Sequence, residues 1–183
     1  MLVRAADLGK SGFEAANSYG ADPAFMARLE RLRIEAGRRM GFPNAADLVI
    51  PKPVLIAPAV NGVTLSARYF MPHDCHRALA VTGAVAAATS CVTPGTIAAD
   101  MAGPIELPDD ITIEHPSGRI AVRLETNSRQ AVPVASIQRT ARKLFEGAVF
   151  ARRSHLPREA PNTADILGSG FTPPAPQAVA ARL

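Results

Sequence analysis

The 183 residues carry 20 Lys and Arg against 16 Asp and Glu, a net charge of +4, and 48% of them are hydrophobic while only 5% are aromatic and none is Trp. That length holds one domain, or one plus a tail, with apolar content enough for a core but no stretch near the roughly 18–20 residues of a membrane span. Scarce rings and arginines scattered from Arg4 to Arg182 favour a small anionic partner over nucleic acid.

The chain opens on Met1-Leu2-Val3, which reads as the end of a strand entering a Gly/Ser/Asn-rich loop. Asp22-Pro23 supplies an N-cap followed by Pro in the first turn, and Met26, Leu29, Leu32, Ala36 and Met40 recur at three and four as far as Gly41. This predicts an amphipathic helix with Arg28, Arg31, Arg38, Arg39, Glu30 and Glu35 on its outer face. The runs Leu48-Val49-Ile50, Val54-Leu55-Ile56 and Val63-Thr64-Leu65, broken by prolines and by Asn61-Gly62, predict two strands joined by an Asn-Gly turn.

Residues 75–91 are almost wholly small and apolar, which predicts a helix hydrophobic on nearly every face and therefore buried. Pro94-Gly95 and Gly103-Pro104 punctuate the next segment. Ile111-Thr112-Ile113-Glu114 and Ile120-Ala121-Val122-Arg123-Leu124 then alternate like a strand pair around His115-Pro116-Ser117-Gly118. A second amphipathic helix is expected from about Val134 to Glu146, with Ile137, Ala141, Leu144 and Phe145 on one face, and a last strand at Ala148-Val149-Phe150. Residues 153–183, rich in Pro, Ala, Ser and Arg, read as an irregular or disordered tail.

Cys75 and Cys91 are too few for a disulfide scaffold and lie apart from any four-ligand zinc pattern, so no metal site is expected and a reducing cytoplasm is the expected location. Behind Met1 come Arg4, Asp7 and Lys10, where a leader would need an apolar run. No phosphate-binding loop, dinucleotide fingerprint or nucleophile elbow is present.

Chemistry concentrates at the start of the apolar helix, where Arg68 on the preceding strand is followed by His73, Asp74, Cys75, His76 and Arg77, then by Thr82-Gly83. A helix N-terminus offers free N–H groups and the positive end of its dipole, and Arg68 and His76 beside it would make a carboxylate pocket. The plainer reading is that Asp74 caps the helix and His76 is a satisfied, partly buried histidine. Cys75 at a helix start would have a stabilised thiolate, making Cys75 and His76 the weak candidates for acid/base work. Cys91 reads as a packing residue, and the tip around Ser117 offers a hydroxyl or is an ordinary hairpin.

Arg68 to Phe70, His76-Arg77-Ala78, Val81-Thr82-Gly83-Ala84, Pro94-Gly95-Thr96, His115-Pro116-Ser117-Gly118 and Arg139-Thr140-Ala141-Arg142-Lys143-Leu144 with Glu146-Gly147 occur in that order. Together with Asp7-Leu8-Gly9, Gly12 and Glu14 they resemble, over about residues 3–150, the PrpF family of 2-methylaconitate cis–trans isomerases, 4-oxalomesaconate tautomerases and methylitaconate isomerases. The resemblance implies an α+β, diaminopimelate-epimerase-like half, with β-structure wrapped around a central buried helix. It further implies cofactor-free proton-shift isomerisation of an unsaturated di- or tricarboxylate, bound by Arg68, His76, Thr82, Gly83 and Ser117.

Only the C-terminal half of the family pattern is matched, and the Lys and Cys of its first domain have no counterpart at Lys10, Lys52 or Lys143. The expected organisation is a lead-in loop and helix over 1–46, a C-terminal-type domain over 47–152 and the tail over 153–183. A partner chain carrying the other half, or a homo-oligomer, would complete the site, with no role for nucleic acid or membrane. The alternative is a non-catalytic remnant or dimerisation module.

Overall fold

The computed structural model describes residues 1–58, 60–71, 73–127, 132–138 and 142–144. The chain divides into two compact units, Met1–Thr140 and Ala141–Leu183, and the described regular structure belongs to the first. In that unit one mixed sheet runs β1 (Leu2–Arg4), β2 (Val54–Pro58), β3 (Leu65–Met71), β5 (Asp109–His115), β6 (Gly118–Glu125) and β7 (Val134–Ser136), with the short β4 (Asp74–Cys75) paired to β3. β1 lies parallel to β2 and β3 parallel to β5, while the other neighbours are antiparallel. Four helices accompany it: α1 (Ala16–Gly20), α2 (Pro23–Arg39), α3 (Val81–Cys91) and α4 (Ile97–Ala102). The architecture is α+β, as expected.

Alternation along the strands builds two cores. Val54, Ile56, Leu65, Ala67, Tyr69, Ile111, Ile113, Ile120, Val122 and Leu124 share one core with α3 and α4. Leu55, Ala57 and Phe70 join a second core with Leu8, Tyr19, Phe25 and Leu29 of the N-terminal segment. Tyr19, Phe25 and Phe70 pack there with ring centroids 5.1–5.9 Å apart, Tyr19 edge-on to Phe70. β2 and β3 are thus buried on both faces, which is why Val54-Leu55-Ile56 is uninterruptedly apolar. The Asn61-Gly62 turn between them takes the positive φ of such a connection at both residues, 54° and 73°.

Helix α2 begins as expected, with the Asp22 carboxylate accepting from Phe25 N at 3.0 Å. Its inner face is rotated from the expected one: Phe25, Leu29, Arg33 and Gly37 are buried, while Leu32 and Met40 are exposed. Arg33 is the reason. Its guanidinium forks onto Glu30 at 2.7 Å and reaches the carbonyls of Ala45 and Ile50 at 2.8 Å each, so a buried cation fastens the 45–50 segment to the helix. Leu48, Val49 and Ile50, read as a strand-like run, form no strand and stand exposed.

Three further expectations are corrected. The apolar helix starts at Val81, not near Cys75, because Cys75 and Asp74 pair with Phe70 and Met71 as β4. Only Ala84, Ala87, Ala88 and Cys91 of α3 are buried, and Val81, Thr82 and Ala86 are exposed, so one face packs on the sheet and the other is open. Residues 134–136, expected to open a helix, are β7, held by pairing of Val134 with Glu125 and Ser136 with Arg123, and described residues 137–138 and 142–144 are not helical. Helix α4, between its Gly and Pro punctuation, carries no periodic signal in the sequence; the Thr96 hydroxyl caps it by accepting from Ala99 N at 3.1 Å. The strand expected at 148–150 and the tail over 153–183 lie outside the described residues. Among the described residues no helix is long and apolar enough to cross a membrane.

The role of Arg33 sets an expectation for urea unfolding. Arg33→Ala should cost about 3 kcal/mol, because two carbonyls and Glu30 lose a donor at once. The exposed Arg31→Ala should stay within about 0.5 kcal/mol of the parent.

Candidate functional site

The alternation of β3 decides which of the expected site residues meet. Tyr69 points to the α3 side of the sheet, whereas Arg68 points to the other side and is only 2% exposed. Its Nε donates to the Glu14 carbonyl at 2.9 Å, Nη1 to Glu114 Oε2 at 2.9 Å and Nη2 to Glu114 Oε1 at 3.3 Å. Ser66 bonds the same Glu114 carboxylate and the Gly12 carbonyl. Arg68 therefore does not stand at the α3 N-terminus as a free cation for a substrate, because protein acceptors on the opposite face hold its guanidinium.

Glu14 extends this network. Its carboxylate accepts from Tyr19 Oη at 2.6 Å and from the amides of Ser11 and Gly12 at 2.7 and 3.0 Å. Burial pushes the Glu14 carboxyl up, but the bonds from Tyr19 and Ser11 outweigh it and hold it at about 2. Burial likewise acts upward on Glu114, and hydrogen bonds from Arg68 and Ser66 bring it below the ordinary carboxylate range. Burial and the Glu14 bond together raise the Tyr19 phenol.

Cys75 is 3% exposed in the second core, and its thiol is pushed up to about 12 by burial. The stabilised thiolate expected from a helix start is thus absent: β4 separates Cys75 from α3, and desolvation opposes the charged form. Cys91 is buried in the first core and also raised to about 12, in keeping with a packing role.

Helix α3 begins at an N-cap, Ala80, with extended backbone and no side-chain acceptor. Asp74 does not cap it; its Oδ1 accepts from Cys75 N at 2.8 Å. The first-turn amides of Val81, Thr82 and Gly83 therefore begin the helix without a capping side chain, and Val81 and Thr82 are exposed. Gly83 has a packing reason: a Cβ there would lie 2.7 Å from Tyr69 Cε2. His76 is exposed, with Nδ1 2.8 Å from the Ala78 carbonyl and 3.0 Å from its amide, and its ring stands edge-on to Tyr69 at 6.5 Å.

Two surface hollows flank the segment from His76 to Gly83. One, of about 380 Å³, is lined by Thr82 and Gly83 together with Lys52, Tyr69, Ala86 and Ser90. The other, of about 320 Å³, is lined by Ala15, Ala16, Asn17, Arg77, Pro116 and Ser117. Ser117 Oγ donates to the Arg77 carbonyl at 2.7 Å, which ties the hairpin tip to the approach to α3. Thr82 and Gly83 thus share one hollow and Ser117 lies in the other, while His76, one residue before Arg77, is among the lining residues of neither. Arg77 was missing from the expected ligands, although the His76-Arg77-Ala78 motif carried it. Among the described residues no carboxylate pairs with its guanidinium, and no group of three His, Cys, Asp or Glu is placed to hold a metal.

Comparison with known proteins defines the class. Residues 1–152 match the family model described as PrpF protein, and the chain belongs to the PrpF family. It is 44% identical over 151 residues to the protein named "Putative isomerase YbhH" of Escherichia coli strain K12, covering 82% of this chain and 43% of that one. It is 36% identical over 151 residues to the (4E)-oxalomesaconate Delta-isomerase of Novosphingobium sp. strain KA1, covering 82% and 42%. The crystal structure of a methylitaconate-delta-isomerase matches with a TM-score of 0.71 at 22% identity, over 94% of this chain and 47% of that one, a likeness of fold. The chain spans less than half the length of the curated relatives it matches, and named relatives are isomerases, so it is of an isomerase family.

Two measurements check this geometry. Both thiols should react with a disulfide reagent at pH 8 at least about tenfold more slowly in the folded chain than in urea, since burial withholds the thiolate. The Glu14 carboxyl titrates at about 2 in the fold against an ordinary value of 4.5, so its stabilisation is complete above pH 4.5 and lost as pH falls toward 2. The melting temperature of the parent should therefore fall more steeply over that window than that of Glu14→Gln.

Proposed function

We propose that this chain is the half of a PrpF-type isomerase that grips an unsaturated di- or tricarboxylate of the aconitate, methylaconitate or oxalomesaconate type. The observation that carries the reading is the uncapped start of α3, preceded four residues upstream by Arg77, whose guanidinium meets no carboxylate among the described residues. First-turn amides at one hollow and the Arg77 guanidinium at the other each suit a carboxylate, which favours a substrate with more than one. Thr82, Gly83 and Ser117 are the binding residues on this reading, with Arg77 taking the cationic role expected of Arg68 and His76 close by.

The reaction would move a proton between carbons of an allylic system beside a carboxylate, without a cofactor. As a base removes the proton, charge spreads onto the carboxylate, so N–H groups and a cation facing it lower the barrier. Cys75 is too deeply buried and too weakly acidic for that transfer. The acid/base pair is therefore assigned to a complementary domain, on a partner chain or a second copy. In this arrangement the sheet unit, with β1, α1 and α2 built into it, is the C-terminal-type domain of a diaminopimelate-epimerase-like fold with α3 as its central helix, so its start lies before residue 47.

Two assays test the reading. Calorimetric titration of the chain with trans-aconitate should show binding, weakened about 10–100-fold by Arg77→Met, the range expected for losing a charge-assisted hydrogen bond. In heavy water with cis- and trans-aconitate, 2-methylaconitate and 4-oxalomesaconate, the chain alone should incorporate no deuterium. Incorporation abolished by His76→Ala would show that this half carries its own acid/base group and contradict the division of labour. Failure to bind any of the four would leave the non-catalytic remnant.

A further inference from the structure

Arg68, the family-motif residue that faces away from α3, bonds residues of both segments that run into the hollow holding Arg77 and Ser117. Its Nε bonds the carbonyl of Glu14, the residue immediately before the wall formed by Ala15, Ala16 and Asn17. Its two Nη atoms bond the carboxylate of Glu114, on the strand that ends in the wall formed by Pro116 and Ser117. These two walls come from segments about a hundred residues apart in sequence, and one planar cation reaches both. Ser66 repeats the connection on a smaller scale, linking the Gly12 carbonyl to Glu114. Ser117 then passes it to the third wall through its bond to the Arg77 carbonyl.

We propose that Arg68 is a positioning residue: the bridge from Glu14 to Glu114 through its guanidinium sets the spacing of the two walls between which Arg77 meets an anionic ligand. The assignment rests on the carboxylate-binding reading of that hollow, and it goes further by naming what holds the hollow open. A forked cation serves best. Lysine keeps the charge, but its three donors radiate from one nitrogen and lack the planar fork, so it spans the Glu14 carbonyl and both Glu114 oxygens less well. Arg68, Glu14 and Glu114 are not among the residues that line the hollow, so the effect of the bridge on a ligand passes through the walls.

The test uses the full chain and its Arg68→Lys and Glu114→Gln variants, with trans-aconitate as probe. Without ligand, Arg68→Lys should shift the backbone amide resonances of both Asn17 and Ser117 while those of the distant Ala98 and Ala99 stay in place. It should also weaken trans-aconitate binding about tenfold or more. Glu114→Gln, which leaves Arg68 bonded to the Glu14 carbonyl, should shift Ser117 more than Asn17. A merely structural role predicts a lowered melting temperature with unmoved walls and unchanged affinity per folded molecule, and that result would overturn the proposal. Walls that move with no change in affinity would overturn it as well. If the parent chain binds no trans-aconitate, the carboxylate reading falls. The ligand-free amide shifts then decide the bridge separately: Asn17 and Ser117 moving together keeps it, and either one moving alone rejects it.

Discussion

The two-residue alternation of β3 governs what this molecule can do. Leu65, Ala67 and Tyr69 build the floor under α3, while Ser66, Arg68 and Phe70 face the N-terminal segment. A register slip by one residue would exchange the faces, putting a guanidinium beneath α3 and a leucine against Glu114. Pairing on both sides prevents this, because β3 is laddered to β2 through five residue pairs and to β5 through two. The cost of leaving Arg68 without its carboxylate adds to that specification, since an unpaired buried charge is worth several kcal/mol.

The polar bridge and the aromatic cluster share the same face, and each supports the other. Tyr19 contributes its ring to Phe25 and Phe70 and its hydroxyl to Glu14, so one side chain belongs to the second core and to the charge network together. Lys10 closes the edge of this region, 2.8 Å from Asp22 and 4.8 Å from the Phe25 ring centroid. The N-terminal forty residues are thereby made part of the sheet domain: β1 adds an edge strand, and α1 and α2 cover the face that α3 leaves open. The hollow beside Arg77 depends on this arrangement because Ala15, Ala16 and Asn17 form one of its walls.

Much of the fold was legible where the signals are local. The Asp22-Pro23 helix start, the Asn61-Gly62 turn and the strand pair around His115-Pro116-Ser117-Gly118 each depend on residues that touch within a few positions, and each formed as expected. The failures involve distant partners. The helical spacing expected after Val134 rests on Ile137, Ala141, Leu144 and Phe145, none of which belongs to β7, whereas residues 134–136 are held by pairing with Glu125 and Arg123. Nothing between Cys75 and Ala80 stops a helix locally; the ladder of β4 onto Phe70 does. Arg33 is buried because carbonyls at 45 and 50 wait for it, and Arg68 is occupied because Glu114 lies 46 positions on. At the site, the order of motifs led to the correct family, while strand parity, which needs a register, turns Arg68 away from α3 toward Glu14 and Glu114.

The central claim is that an anionic polycarboxylate is held by the segment that runs from Arg77 into the first turn of α3. The most direct measurement is a titration of the isotope-labelled chain with trans-aconitate, following every backbone amide by NMR. The account predicts saturable shifts concentrated at Arg77, at the first-turn amides of Val81, Thr82 and Gly83, and at Ser117. Saturable shifts gathered elsewhere, or none at millimolar ligand, would contradict it.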